Sequence, residues 1–157
     1  MSERLISMAV AALTIALVAA GCGGDDGDST ATLTKAQFVK KGNAICAAGN
    51  KEIEAGFESF AKEHNLSKNQ QPTKAELTEA AETVLTPAIA KQVHAIGALG
   101  TPSTDGKGAE EVLDAAEEAL EKIEEEPVLI TKSGSKSPFA KANAMAREYG
   151  LTTCGEE

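Results

Sequence analysis

The chain has 157 residues and a formal net charge of −9, with no Trp, one Tyr and four Phe. An acidic balance argues against nucleic acid as a partner, since a phosphate backbone calls for clustered Lys and Arg. Few aromatics and no alternating Val, Ile and Thr runs beyond the leader argue against a strand-built core, leaving Ala, Leu, Ile and Val to pack close helices.

Residues 1–21 read as a lipoprotein signal peptide. Met1 to Arg4 is short and polar, Leu5 to Ala20 is sixteen mostly apolar residues, and Ala19-Ala20-Gly21-Cys22 follows directly. Small residues before the cut admit the peptidase, and the Cys22 thiol accepts a diacylglyceryl group, with palmitate on the new N-terminus. A membrane span is the alternative, but sixteen helical residues reach only about 24 Å against roughly 30 Å of hydrocarbon. Ala19, where a Leu is commoner, and Glu3 in the charged start depart from the usual pattern. Residues 22–33 continue as a flexible tether: the Gly23–Thr32 run is small and acidic, and buries too little surface to offset its ordering entropy. The chain is thereby expected at the extracytoplasmic face of the cell membrane, held there by its N-terminal lipid.

Residues 34–157 form the expected helical domain. Thr34 with Gln37 makes a capping box, and Leu33 is placed to touch Phe38 as a staple. The apolar stripe of this first helix runs through Ile45, Ile53, Phe57 and Phe60, with Gly42 and Gly49 on nearly the same side, where they let another helix approach. Thr73 with Glu76 opens a second helix, whose stripe is Leu77, Ala81, Val84, Ala88, Val93 and Ile96. Pro87 falls inside it, so the helix either kinks or restarts with Thr86 as cap; the kink is preferred. After the turn-rich 97–108 stretch, Val112, Ala116, Leu120 and Ile123 mark one face of a third helix that stops before Pro127. Ser137-Pro138 then starts a fourth helix bearing Phe139, Ala142, Ala146 and Tyr149, closed by Gly150 as a left-handed cap. The expected fold is all-α, an antiparallel four-helix bundle with its second helix kinked at the proline.

With Cys22 lipidated, Cys46 and Cys154 are the two thiols left, in a compartment that permits oxidation. A structural disulfide is expected; a redox pair is the alternative, but no Cys-x-x-Cys is present.

Nine acids lie between Glu110 and Glu126 against Lys122 alone. The bland account is a solvated face; the sharper one is a divalent-cation or partner face built on Glu117, Glu118, Glu121, Glu124 and Glu125. Glu124 to Glu126 sit where the helix dipole is already negative and call for a counter-charge. Lys132, Lys136, Lys141 and Arg147 follow to supply one. EF-hand spacing is absent, and neither His64 nor His94 has a Cys or His at metal-ligand spacing. Gly-x-Ser-x-Gly, a phosphate loop and His-Glu-x-x-His are also missing, so neither catalytic residues nor a metal or other cofactor is expected.

The order of features, a lipobox cysteine, a Gly/Asp tether, Thr-Lys-Ala-Gln-Phe opening a helix that carries Ala-Ile-Cys46, then Tyr149-Gly150-Leu151 and Cys154-Gly155, resembles uncharacterised small helical lipoproteins of high-GC Gram-positive bacteria. The resemblance covers most of the chain after the leader and implies location and fold, with no activity. Two functions are expected in order: a non-enzymatic envelope protein presenting a helical surface to an envelope protein or the cell wall, or a binder of a small ligand or divalent cation. The second would use the acidic helix or a pocket between helices near Pro87 and Tyr149.

Overall fold

The computed structural model describes residues 32–67 and 70–156. The signal segment, Cys22 and nearly all of the tether lie outside the described residues. Those described are helical, with no strand among them. Helix α1 spans Lys35–Glu63, α2 Lys74–Ala80, α3 Thr86–Gly97, α4 Gly106–Glu125 and α5 Ala140–Tyr149. None is long and apolar enough to cross a membrane.

Both capping boxes form. The Thr34 hydroxyl accepts from the Gln37 N–H, and the Gln37 side chain accepts in turn from the Thr34 N–H at 2.9 Å. Thr73 and Glu76 repeat this at α2, where the Thr73 N–H reaches the carboxylate at 2.6 Å and the hydroxyl at 2.7 Å. These two donors hold the Glu76 carboxyl below the usual range, with the backbone one contributing most. Leu33 packs against the cluster that contains Phe38, as the staple requires.

Pro87 follows a widened stretch of helix. The chain passes from α2 into α3 through a π-helical turn, Ala81–Leu85, in which the Thr86 N–H donates to the carbonyl of Ala81, five residues back. Widening the ladder by one residue relieves the crowding that a proline ring brings to the preceding turn. Thr86 is itself in the helical region and supplies no side-chain cap, so the helix does not restart there.

Three glycines at seven-residue intervals make one stripe of α1. A Cβ on Gly42 would lie 2.5 Å from the Leu151 side chain, and one on Gly56 2.5 Å from Val84. On Gly49 it would meet the Gln92 side chain more closely still. Further residue pairs tie the helices together: Glu52 to Lys91 at 2.7 Å, Gly108 beneath the Tyr149 ring, and Glu118 to Lys141 at 3.3 Å. The core lies between α1, α3, α4 and α5, centred on Phe38, Cys46, Ile96, Val112, Tyr149 and Leu151.

Two expectations need correcting, one about the stripes and one about a helix start. Phe57 and Leu77 are exposed, at 38% and 39%. Phe60, nearer the end of α1, is buried at 7% exposure, and Gly56 packs on Val84, so the covered side of the helix at this height carries Gly56 and Phe60 and leaves Phe57 turned away. The fourth helix starts at Ala140 rather than at Pro138: the Ser137 hydroxyl accepts from the Phe139 N–H at 3.2 Å, shaping a turn that precedes the helical ladder. Val128, Leu129 and Ile130 are half-buried in a short 3-10 helix, Pro127–Thr131, packed on α2 and α4.

Candidate functional site

The chain after α5 turns back onto α1 because Gly150 adopts φ +111°, a conformation open to glycine at little strain. The Leu151 N–H donates to the Ala146 carbonyl at 2.8 Å, completing the helix stop and burying Leu151 almost fully. Asn43 of α1 grips this tail from both ends of its amide: its Nδ2 donates to the Gly150 carbonyl at 3.0 Å and its Oδ1 accepts from the Thr153 N–H at 2.9 Å. Cys154 is thereby delivered to Cys46, with Cα atoms 5.1 Å apart, and the two are joined as a disulfide. The bridge is the expected one.

Beside it lies a cleft in two stages. The inner stage, of about 80 Å³, is walled by apolar side chains of three helices: Val93 and Ile96, Val112 and Ala116, Ala142 and Ala146. The outer stage, of about 570 Å³, opens between Asn50 and Ile53 of α1, Ile89 of α3 and the 132–137 segment. Ile89, Gln92, Phe139, Asn143 and Cys154 line both stages and so mark the step between them. Lys132 and Glu156 are the charged residues of the outer wall, one of each sign.

Gln92 is the polar residue that this core buries, at 9% exposure. Its amide atoms still reach solvent: among the described residues the buried side-chain polar atom left without a partner is the Thr86 hydroxyl. Gly49 makes room for the Gln92 side chain: a Cβ there would collide with its Cγ, Cδ and Nε2. Gly49→Ala is therefore expected to lower stability by about 1–2 kcal/mol, overpacking outweighing the helix-propensity gain of about 1 kcal/mol. Combining it with Gln92→Ala should make the pair less destabilising than the sum of the single changes, which a urea-denaturation double-mutant cycle measures.

The other sequence-derived candidates do not converge. Glu117, Glu118, Glu121, Glu124 and Glu125 are all exposed along α4. No group of three or more His, Cys, Asp or Glu able to hold a metal occurs among the described residues, so the cation reading of this face has no assembled donor set behind it. Of the four later cations, Lys141 alone pairs with the acidic helix, reaching Glu118 beside Lys122. Hydrogen bonds from those lysines, Lys122 first, hold the Glu118 carboxyl below its usual range. Arg147 instead donates to the Gly155 carbonyl. No protein-family model matches this chain, and comparisons with curated proteins and with solved structures likewise find no match.

The expected pocket near Pro87 and Tyr149 does not form, because the two residues line separate depressions. Tyr149 is committed to structure: its hydroxyl donates to the Asp105 carbonyl at 3.0 Å, and Lys35 Nζ lies 4.2 Å from its ring centroid while pairing with Asp105 at 2.7 Å. Burial, then the Asp105 carboxylate, pushes the phenol above its ordinary value against the opposing Lys35. His64 stacks on Phe60 with centroids 4.1 Å apart and stands 3.6 Å from Glu79; His94 is exposed. Neither histidine lines the cleft.

Sequence reasoning passed over Gln92 and Asn143. A signal for Gln92 was present: it falls four residues after Ala88 and four before Ile96, on the buried stripe, where an amide is out of place.

Proposed function

We propose that this protein is a non-enzymatic lipoprotein of the cell envelope, anchored through a lipid on Cys22 at the outer face of the membrane, and that it binds a small molecule in the cleft beside the Cys46–Cys154 bridge. The observation that carries the binding reading is the two-stage cleft, an apolar chamber that opens beside the bridge onto a wider mouth with a few polar groups. Apart from Lys132 and Glu156, its polar lining is amides and hydroxyls, which neither take nor give up a proton near neutrality. That chemistry favours holding a ligand over turning one over. Surface presentation to an envelope or cell-wall partner is the weaker reading, because the face it would use is a row of exposed glutamates without a groove.

In the proposed architecture the helices run antiparallel as a bundle, with the second rod bending at the π-helical turn before Pro87. Residue numbers that rise along α1 while falling along its partners, Gly49 with Gln92 and then Gly56 with Val84, support the opposed directions. Gly108 with Tyr149 and Glu118 with Lys141 do the same for α4 and α5.

The anchoring is tested by growing an expressing Gram-positive host with an alkyne-bearing palmitate. The full chain should take up label and partition with membranes, and Cys22→Ala should carry none and leave the membrane fraction. Equal membrane recovery of an unlabelled Cys22→Ala chain would sink the lipid-anchor reading.

A further inference from the structure

The class of molecule that suits the cleft follows from how its charges and its apolar depth are arranged, an inference that rests on the binding reading above. Lys132 and Glu156 reach the mouth from two separate stretches of chain, the segment after α4 and the tail two residues beyond Cys154. They are not joined as an ion pair, and neither pairs with another charged group among the described residues. The mouth therefore offers an ammonium and a carboxylate, each separately open to a ligand. Ser133 and Ser137 line the same mouth, and their hydroxyls can donate to a carboxylate held by Lys132.

The inner chamber sets the size of the apolar part. At about 80 Å³ it is roughly half the 150 Å³ cavity that takes benzene, and so admits a branched alkyl group of about three or four carbons. A ligand with one charge leaves one of the two groups at the mouth unused, and a neutral ligand leaves both. A dipolar ion uses both, because its ammonium and carboxylate stand on one carbon.

We propose that the cleft binds a free α-amino acid with a branched aliphatic side chain, of the leucine type: its side chain in the inner chamber, its carboxylate toward Lys132 and its ammonium toward Glu156. The two contributions differ in size. Each buried carbon is worth about fourfold in affinity, so the three carbons that leucine has beyond alanine give on the order of fiftyfold. Lys132 and Glu156 are exposed, so each contact with the ligand is worth about threefold. The chamber thus sets the affinity and the mouth selects the head group. The Cys46–Cys154 bridge serves that selection by fixing the tail that carries Glu156.

The experiment uses the lipidated full chain in phospholipid nanodiscs, titrated with L-leucine, L-alanine, 4-methylpentanoate, 3-methylbutylamine and xenon, and followed by methyl and amide NMR. Leucine should titrate saturably with shifts at Val93, Ile96 and Ala142, and alanine should bind on the order of fiftyfold more weakly. 4-Methylpentanoate, which lacks the ammonium, and 3-methylbutylamine, which lacks the carboxylate, should each bind about threefold more weakly than leucine. Glu156→Gln should weaken leucine and the amine about threefold and leave the acid no weaker, and Lys132→Gln should weaken leucine and the acid while sparing the amine. Both changes lie at the exposed mouth, so xenon should enter either variant as it enters the unaltered chain. Leucine no tighter than either singly charged analogue, charge variants that shift no affinity, alanine bound as well as leucine, or entry by xenon alone would overturn the amino-acid assignment and leave the cleft as a site of another class. No titration by any of the five probes would overturn the cleft reading itself.

Discussion

Replacing Cys46 and Cys154 together with alanine is expected to lower the unfolding free energy by about 3–5 kcal/mol. The bridge closes a loop of 108 residues, and in the chain-entropy account a loop near that length is worth about 4.7 kcal/mol. A domain of this size has about 5–15 kcal/mol in total, so the loss should be visible as a large fall in the urea midpoint. Adding reductant to the unaltered protein should reproduce the double variant, and reductant should leave the variant itself unmoved. The tail has other holds, the two Asn43 hydrogen bonds and buried Leu151, so the native fold should persist in the reduced protein at low denaturant. A change under 1 kcal/mol would mean that the unfolded chain is already held compact by other contacts.

The sequence made legible what is local and left obscure what depends on distant partners. Both capping boxes, the glycine stop at Gly150 and the pairing of the two remaining cysteines follow from residues whose chemistry allows few uses. The proline was seen to be a problem, but its accommodation was not legible, since a π-helical turn has no residue signature comparable to a cap. Phe57 and Leu77 show the limit of periodicity. A stripe tells which side of a helix is apolar, whereas burial depends on where the neighbour sits: Gly56 and Phe60 face it, and Phe57, between them in sequence, does not.

The site was harder to read than the fold for a related reason. Acidic residues crowded into one helix draw the eye, yet their side chains point into solvent, where repulsion is screened and no geometry is imposed. Gln92 and Asn143 are ordinary residues in sequence, and they meet in one cleft only after the 50 residues between them have folded, with Gly49 making room for Gln92. Gly49 had been read as a point of close approach, and it is one; the occupant of the space turned out to be an amide in place of a second helix backbone.

Phe38→Ala should cost about 3–5 kcal/mol, the range for removing a large buried aromatic ring. Phe38 is 1% exposed and sits edge-on to Tyr149, with centroids 6.1 Å apart and planes at 89°. It belongs to a cluster drawn from four helices and the tail, so the space it leaves cannot be closed by moving one element. Loss of the edge-on contact should also loosen the Tyr149 hydroxyl from the Asp105 carbonyl, and with it the start of α4. Because the chain has one tyrosine and no tryptophan, near-ultraviolet circular dichroism at tyrosine wavelengths reports on this spot directly. Phe38→Ala should flatten that signal while helical content persists under native conditions, and Phe38→Leu, which keeps most of the volume, should cost about half as much. Thermal unfolding sets the two apart: if alanine and leucine cost the same, the loss is of the ring's contact with Tyr149, and if leucine recovers stability but not the tyrosine signal, volume holds the domain together and the ring orients Tyr149.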